Sequence, residues 1–188
     1  MQARRAARAR LAWRPAACHF LIMAKHRILF VCLGNICRSP MAEGVFRRAA
    51  EEQGVLDRFE IDSAGLGHWH VGQAPDARAQ DTTLNRGIDI SGQSARQVEP
   101  GDFARFDLLL AMDGENYREL VQLAPSDARH KIRLFLDFAP DAAATDVPDP
   151  FFDGPAGFDH AFDLIDQAAR GLLNHLLDEA AEPMKSGA

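Results

Sequence analysis

A chain of 188 residues with 47% hydrophobic and 26% charged side chains has the length and composition of one folded domain, which excludes a disordered or fibrous protein. The net charge of −6 hides an asymmetry: five of the 21 basic residues (Arg4, Arg5, Arg8, Arg10 and Arg14) fall in residues 1–22, which hold no acid, and the other 16 face 27 acidic residues. That balance speaks against a nucleic-acid or anionic-lipid partner, three cysteines are too few for a disulfide framework and suit the cytoplasm, and no apolar run approaches the ~20 residues of a membrane span.

Residues 1–22 lack the long apolar region and small-residue cleavage site of a secretory signal. They are expected to be a disordered basic extension, or to precede a translation start at Met23. The domain is then expected over residues 23–182, with a flexible tail at 183–188. The apolar run "RILFVCL" (27–33) predicts a strand buried on both faces. "SPMAEGVFRRAAEEQG" (39–54) predicts a helix capped by Ser39, with Pro40 in its first turn, Met41, Val45 and Ala49 on one inward face, and Gly54 ending it. "FEIDSAG" (59–65) reads as a second strand and 76–88 as a helix ended by Gly87. "FDLLLAM" (106–112) predicts a third strand, 114–124 a helix capped by Asp113, and "KIRLFLDF" (131–138) a fourth strand. After a long loop, Phe158, Phe162, Ile165, Ala169, Leu172 and Leu176 form a helical stripe within 158–181.

This alternation implies an α/β fold, a three-layer sandwich with a four-stranded parallel sheet flanked by helices on both faces. Ligands of such sheets bind at the carboxyl ends of strands, which is where Cys32 lies. The loop "CLGNICRS" has the parts of an oxyanion cradle. Inward amides of Leu33, Gly34, Asn35, Ile36 and Cys37 and the following helix N-terminus favour an anion. Gly34 permits a backbone conformation that a β-carbon would block, and Asn35 tolerates a left-handed one and can bond across the loop. Arg38 offers a planar fork for two phosphate oxygens. The same groups, with a hydrogen bond from Ser39, favour an ionised Cys32 sulfur, which would attack phosphorus and form a phosphocysteine intermediate.

Expelling a leaving group from phosphorus calls for a proton donor. The long loop supplies Asp146, Asp149 and Asp153 in "DVPDPFFDG". The adjacent aromatics Phe151 and Phe152 suit an apolar wall for an aromatic substrate. His68 and His70 form an HxH pair without a third ligand at metal spacing, so neither a metal nor a cofactor is expected.

The stretch "VCLGNICRSP" strongly resembles the low-molecular-weight protein tyrosine phosphatases, and the similarity extends over about residues 26–180. The resemblance implies that Asp149, in its Asp-Pro pair before aromatics, is the general acid/base, and that Trp69 in "DSAGLGHWHVGQAPD" lines the cleft. It implies that Cys37 can form a reversible disulfide with Cys32. Relatives usually carry tyrosine where this chain has Phe151 or Phe152, so phosphorylation at these positions is lost. Many relatives place a histidine two residues before the Ala-Arg-Gln stretch, where this chain has Gln93, or Ser94 beside it. The implied activity is metal-independent hydrolysis of phosphotyrosine in proteins or of aryl phosphates, with a bacterial tyrosine kinase as one conceivable partner. Two alternatives stay open. An arsenate reductase on the same scaffold would need a thiol relay, and no cysteine follows Cys37. A non-catalytic phosphate-binding module would need neither Cys32 nor Asp149.

Overall fold

The structure, a computed structural model, describes residues 25–181. The expected extension at 1–22 and tail at 183–188 lie outside the described residues. Four parallel strands, β1 (His26–Cys32), β2 (Phe59–Gly65), β3 (Leu108–Ala111) and β4 (Ile132–Leu134), form one sheet in the order β2-β1-β3-β4. Five helices accompany them: α1 (Arg38–Glu52), α2 (Ala77–Leu84), α3 (Asp102–Arg105), α4 (Gly114–Leu123) and α5 (Pro155–Ala181). The expected three-layer architecture is therefore the observed one.

The pleat of β1 divides the core in two. Ile28, Phe30 and Cys32 point to one face, where they meet Met41 and Phe46 of α1 and Phe158, Ile165 and Leu172 of α5. Leu29 and Val31 point to the other, against Phe103, Phe106 and Leu120. Phe30 anchors the first layer between Phe46, with ring centroids 5.9 Å apart, and Phe135 at 5.1 Å in an edge contact. The six stripe residues of α5 are all buried, so its sequence period and its packed face agree.

The ends of elements depart from the sequence reading. Strand β4 stops at Leu134, and Phe135–Phe138 turn into a 3-10 helix. The reason lies in the pattern: Phe135 and Leu136 are both buried, and a strand would put such neighbours on opposite faces. The turn sends both into the layer under α5. Strand β3 is confined to 108–111, and α5 begins at Pro155 rather than at 158. Helix α2 ends at Leu84, with Gly87 left-handed beyond it (φ 78°). Ser39 does not cap α1. Cys37 occupies the N-cap with no side-chain bond to the helix, and Ser39 sits within the first turn.

Helix α5 approaches the 3-10 turn at Gly171, where an added β-carbon would collide with the Phe138 carbonyl oxygen. Helix propensity alone favours Gly171→Ala by about 1 kcal/mol. The overpacked contact reverses that sign, for an expected net loss of about 1–2 kcal/mol, measured by urea denaturation. A more stable Gly171→Ala would contradict this packing.

Candidate active site

β1 ends at Cys32, and the five-residue turn to α1 carries the chain over the sulfur. Asn35 is left-handed (φ 56°), the one such non-glycine among the described residues. Gly34 is not left-handed. A β-carbon there would sit 3.0 Å from His70 Cδ2, so its role is to let the His70 ring close on the loop. No protein acceptor takes the N–H of Gly34, Ile36 or Cys37 among the described residues, and all three residues line one cavity with Cys32. Unpaired backbone donors around a cavity suit an anion.

Two polar groups reach the sulfur. The Asn35 N–H lies 3.2 Å from Cys32 Sγ, and Ser39 Oγ lies 3.1 Å away. Asn35 bears on the direction of the second contact. Its Oδ1 accepts the Arg96 N–H at 2.9 Å, which orients the amide, and its Nδ2 donates to Ser39 Oγ at 2.9 Å and Ser63 Oγ at 3.0 Å. With its oxygen accepting from Asn35, the Ser39 hydroxyl proton is left for Sγ or for Ala64 O at 3.3 Å. Ser63 in turn donates to Glu43 Oε2 at 2.8 Å, and Glu43 Oε1 accepts from Arg47 at 3.0 Å. Burial pushes the Glu43 carboxyl above the usual range, against the hydrogen bond from Ser63 and the charge of Arg47. Gln93 donates to Pro40 O at 3.1 Å, in the first turn of α1.

Arg38 opens α1 and is almost fully buried. Its Nη1 donates to Asp113 Oδ2 at 2.5 Å and to Val147 O at 3.1 Å, and its Nη2 donates to Asp149 Oδ2 at 2.7 Å. Burial works against the guanidinium charge, but Cys32, Asp149 and Asp113 outweigh it and hold Arg38 above its ordinary pKa. Asp113 therefore does two jobs. Oδ1 caps α4 by accepting the Asn116 N–H at 2.7 Å, while Oδ2 steadies the arginine. Asp149 Oδ1 also accepts the Phe151 N–H at 3.2 Å, which closes the 3-10 turn Pro150–Phe152.

These groups meet in a cavity of about 230 Å³ lined by Cys32, Arg38, Asp149, Trp69, His70 and Phe151, among others. Leu33 and Phe152 are also on its wall, Phe152 almost wholly exposed and Trp69 about half. Phe151 and Phe152 meet edge to face at 5.0 Å. An anion cradle thus lies at the floor and apolar rings at the mouth. Cys37 is buried within the loop that joins Cys32 to Arg38. Burial, with the charges of Asp76, Cys32 and Asp149, pushes its thiol well above the usual value, so it keeps its proton. Both Cys32 and Cys37 are free thiols.

The structure gathers the residues singled out around the loop, with Asn35 and Ser39 buried beside the sulfur rather than on the cavity wall. Of the loop aspartates, Asp149 reaches the cavity, while Asp146 accepts the Gly114 N–H at 3.1 Å. Sequence reasoning missed His70 and the Ser63–Glu43 chain. The position of Asp113 at a strand's carboxyl end allows contact with the loop region as well as the favoured helix cap, and Asp113 does both, though its pairing with Arg38 is not marked in the sequence. His70 was visible only as half of an HxH pair. Ser63 alternates inward along β2, and nothing in that pattern marks it as a partner of Asn35.

The family model of the low molecular weight phosphotyrosine protein phosphatases matches residues 27–182. The low molecular weight protein-tyrosine-phosphatase YfkJ of Bacillus subtilis is 41% identical over 152 residues, covering 81% of this chain and 96% of its own. A low molecular weight phosphotyrosine protein phosphatase of Schizosaccharomyces pombe is 44% identical over 133 residues, 70% of this chain and 85% of its own. Among solved structures, a protein tyrosine phosphatase from Entamoeba histolytica superposes with a TM-score of 0.80 at 36% identity, covering 83% of this chain and 99% of that one.

Proposed function

Since the chain belongs to the low molecular weight phosphotyrosine protein phosphatase family, we propose that it hydrolyses phosphotyrosine through a phosphocysteine intermediate, with Cys32 as nucleophile, Arg38 as phosphate clamp and Asp149 as general acid and base. The observation that carries this reading is the shared cavity, where a hydrogen-bonded sulfur, a buried guanidinium and a loop carboxylate meet below aromatic walls.

The arrangement suggests an order of events. A dianionic phosphoryl group entering the cradle competes with Asp149 for Arg38 Nη2. Asp113 and Val147 O keep their hold on Nη1, so the fork stays aimed while one of its arms changes partner. Released beside the bound phosphate, Asp149 takes up a proton from solvent and faces the bridging oxygen. Cys32 Sγ attacks phosphorus in line, the phosphorus–oxygen bond breaks, and the Asp149 proton goes to the departing phenolate. In the second half, Asp149 removes a proton from water, the water oxygen attacks phosphorus, and the sulfur–phosphorus bond breaks to release inorganic phosphate. The loop amides and Arg38 stabilise the equatorial oxygens in both halves. Trp69, Phe151 and Phe152 suit an aryl group at the mouth. Phosphoserine would leave that apolar space unfilled.

Free thiols at Cys32 and Cys37 suit a reducing cytoplasm, and no helix among the described residues is long and apolar enough to cross a membrane. A tyrosine kinase, carrying its own phosphotyrosines, is a fitting partner class. The test is hydrolysis of p-nitrophenyl phosphate in excess chelator. The reading expects full turnover, inhibition by vanadate and loss on thiol alkylation. Turnover of arsenate with a thiol donor, in place of phosphate-ester hydrolysis, would favour the reductase. Phosphate binding without turnover would favour a binding module.

A further inference from the structure

The segment Asp76–Arg78 touches both halves of the site. The Asp76 N–H donates to Ile36 O of the nucleophile loop at 2.7 Å. Two residues later, Arg78 Nη1 donates to Phe151 O at 3.0 Å and to Asp153 O at 3.2 Å, both in the turn that follows Asp149. The two ends are locked to each other. Arg78 Nε and Nη2 grip the two Asp76 carboxylate oxygens at 2.9 and 2.8 Å, and the Arg78 N–H donates to Oδ1 at 2.9 Å. The Arg78 guanidinium also lies 4.6 Å over the Phe158 ring at the start of α5 and 5.6 Å from the Phe151 ring. The hydrogen bond from the Arg78 side chain holds the Asp76 carboxyl below the ordinary range, so the pair stays ionised at neutral pH.

This arrangement is more than a surface ion pair. A bidentate fork has a fixed geometry, and here its remaining donor is aimed at carbonyls of the acid loop. Asp149 has few other holds. Its carboxylate is bound by Arg38, which the substrate must capture, and by the Phe151 N–H within its own turn. When Arg38 turns to the phosphate, the Arg78 contacts to Phe151 O and Asp153 O still tie that turn to the nucleophile loop.

We propose that the Asp76–Arg78 pair is a positioning device that sets the distance between the Asp149 loop and the Cys32 loop during turnover. The proposal rests on Asp149 acting as the acid. Arg78 touches neither substrate nor reacting atoms in this account and acts through Asp149 alone.

A double-mutant cycle tests it. Arg78→Met keeps the length and apolar stem of the side chain and removes every donor. Its kcat/KM for phenyl phosphate is expected to fall roughly 10–100-fold, the order that a small misplacement of a catalytic group costs. The fall for p-nitrophenyl phosphate, whose leaving group needs little protonation, is expected to be several-fold smaller, with vanadate still binding at the cradle. In an Asp149→Asn background, adding Arg78→Met is expected to cost no more than about twofold on either substrate. Should Arg78→Met fail to fold, Arg78→Lys, which retains the charge and loses the fork, carries the same comparison. Equal losses on the two substrates, or full additivity with Asp149→Asn, would overturn the positioning role while leaving the acid in place. If Asp149→Asn itself shows no leaving-group selectivity, the acid assignment fails, and the positioning role fails with it.

Discussion

Cys32→Ser removes turnover of aryl phosphates by roughly 10⁴-fold or more, the scale on which an enzyme loses a covalent nucleophile, while binding of vanadate or phosphate persists. A serine hydroxyl at this site keeps its proton at neutral pH, and among the described residues no histidine or carboxylate lies within hydrogen-bond reach of the Cys32 sulfur to remove it. The cradle does not depend on sulfur. Asn35 stays left-handed with its amide tied to Ser39, Ser63 and Arg96, and Arg38 keeps its bonds to Asp113 and Val147 O. The measurements are steady-state hydrolysis of p-nitrophenyl phosphate and a vanadate titration followed by Trp69 fluorescence, since Trp69 lines the same cavity. Activity within tenfold of the native chain would show that the chemistry does not pass through this sulfur. Loss of vanadate binding together with turnover would show that the sulfur holds the loop in shape.

Asp149→Asn is expected to slow kcat/KM for phenyl phosphate by about 10²–10⁴-fold, the usual contribution of a general acid, and to slow p-nitrophenyl phosphate much less. Phenolate is a poor leaving group because a phenol has a pKa near ~10, whereas a nitrophenolate departs without help. Asparagine is nearly the same size as aspartate. Its single oxygen can still accept the Phe151 N–H that Asp149 Oδ1 takes, so the turn at Pro150–Phe152 is retained, while the bond that Oδ2 takes from Arg38 is given up. What asparagine cannot do is deliver a carboxyl proton. Equal slowing of both substrates would remove Asp149 from the acid role. Asp113, also in contact with Arg38, would not inherit that role, because its two oxygens are held by Arg38 and by the Asn116 N–H.

Much of the site was legible because the sequence there is dense with residues of restricted use. The apolar run ending in Cys32, followed by a short loop and a helix start, predicted a cradle at the end of the central strand, and the sheet places it there. Asn35 was readable as the left-handed residue because few side chains tolerate that conformation. Gly34 was misread, because a glycine in sequence does not say whether it serves a dihedral angle or a close neighbour. Here the neighbour is the ring of His70, which local pattern does not reveal. Ser39 was given a cap as well as a sulfur contact. The cap failed because Cys37 takes that place and Ser39 lies inside the first turn.

The partners from distant segments were harder to see. Asp113 meets Arg38 across 75 residues and Arg78 meets Phe151 O across 73, while Ser63 meets Asn35 across 28 and Glu43 joins only through Ser63. Hydrophobic period fixes which face of an element is buried and says little about which polar side chains meet between elements. The fourth strand shows the same limit in the core. "KIRLFLDF" has the composition of a strand, yet its consecutive buried residues Phe135 and Leu136 are served by a 3-10 turn beneath α5.

The central claim is that the phosphoryl group resides on Cys32 between the two halves of the reaction. Acid quenching of the native enzyme during turnover of an aryl phosphate, followed by mass spectrometry of the peptide containing Cys32 and Cys37, tests it directly. The account predicts one phosphoryl group on the Cys32 sulfur, absent from Cys32→Ser and present at a higher level when Asp149→Asn slows its removal. A phosphoryl group on another residue, or a phosphate-free peptide from an enzyme that is turning over with a burst of phenol release, would contradict it.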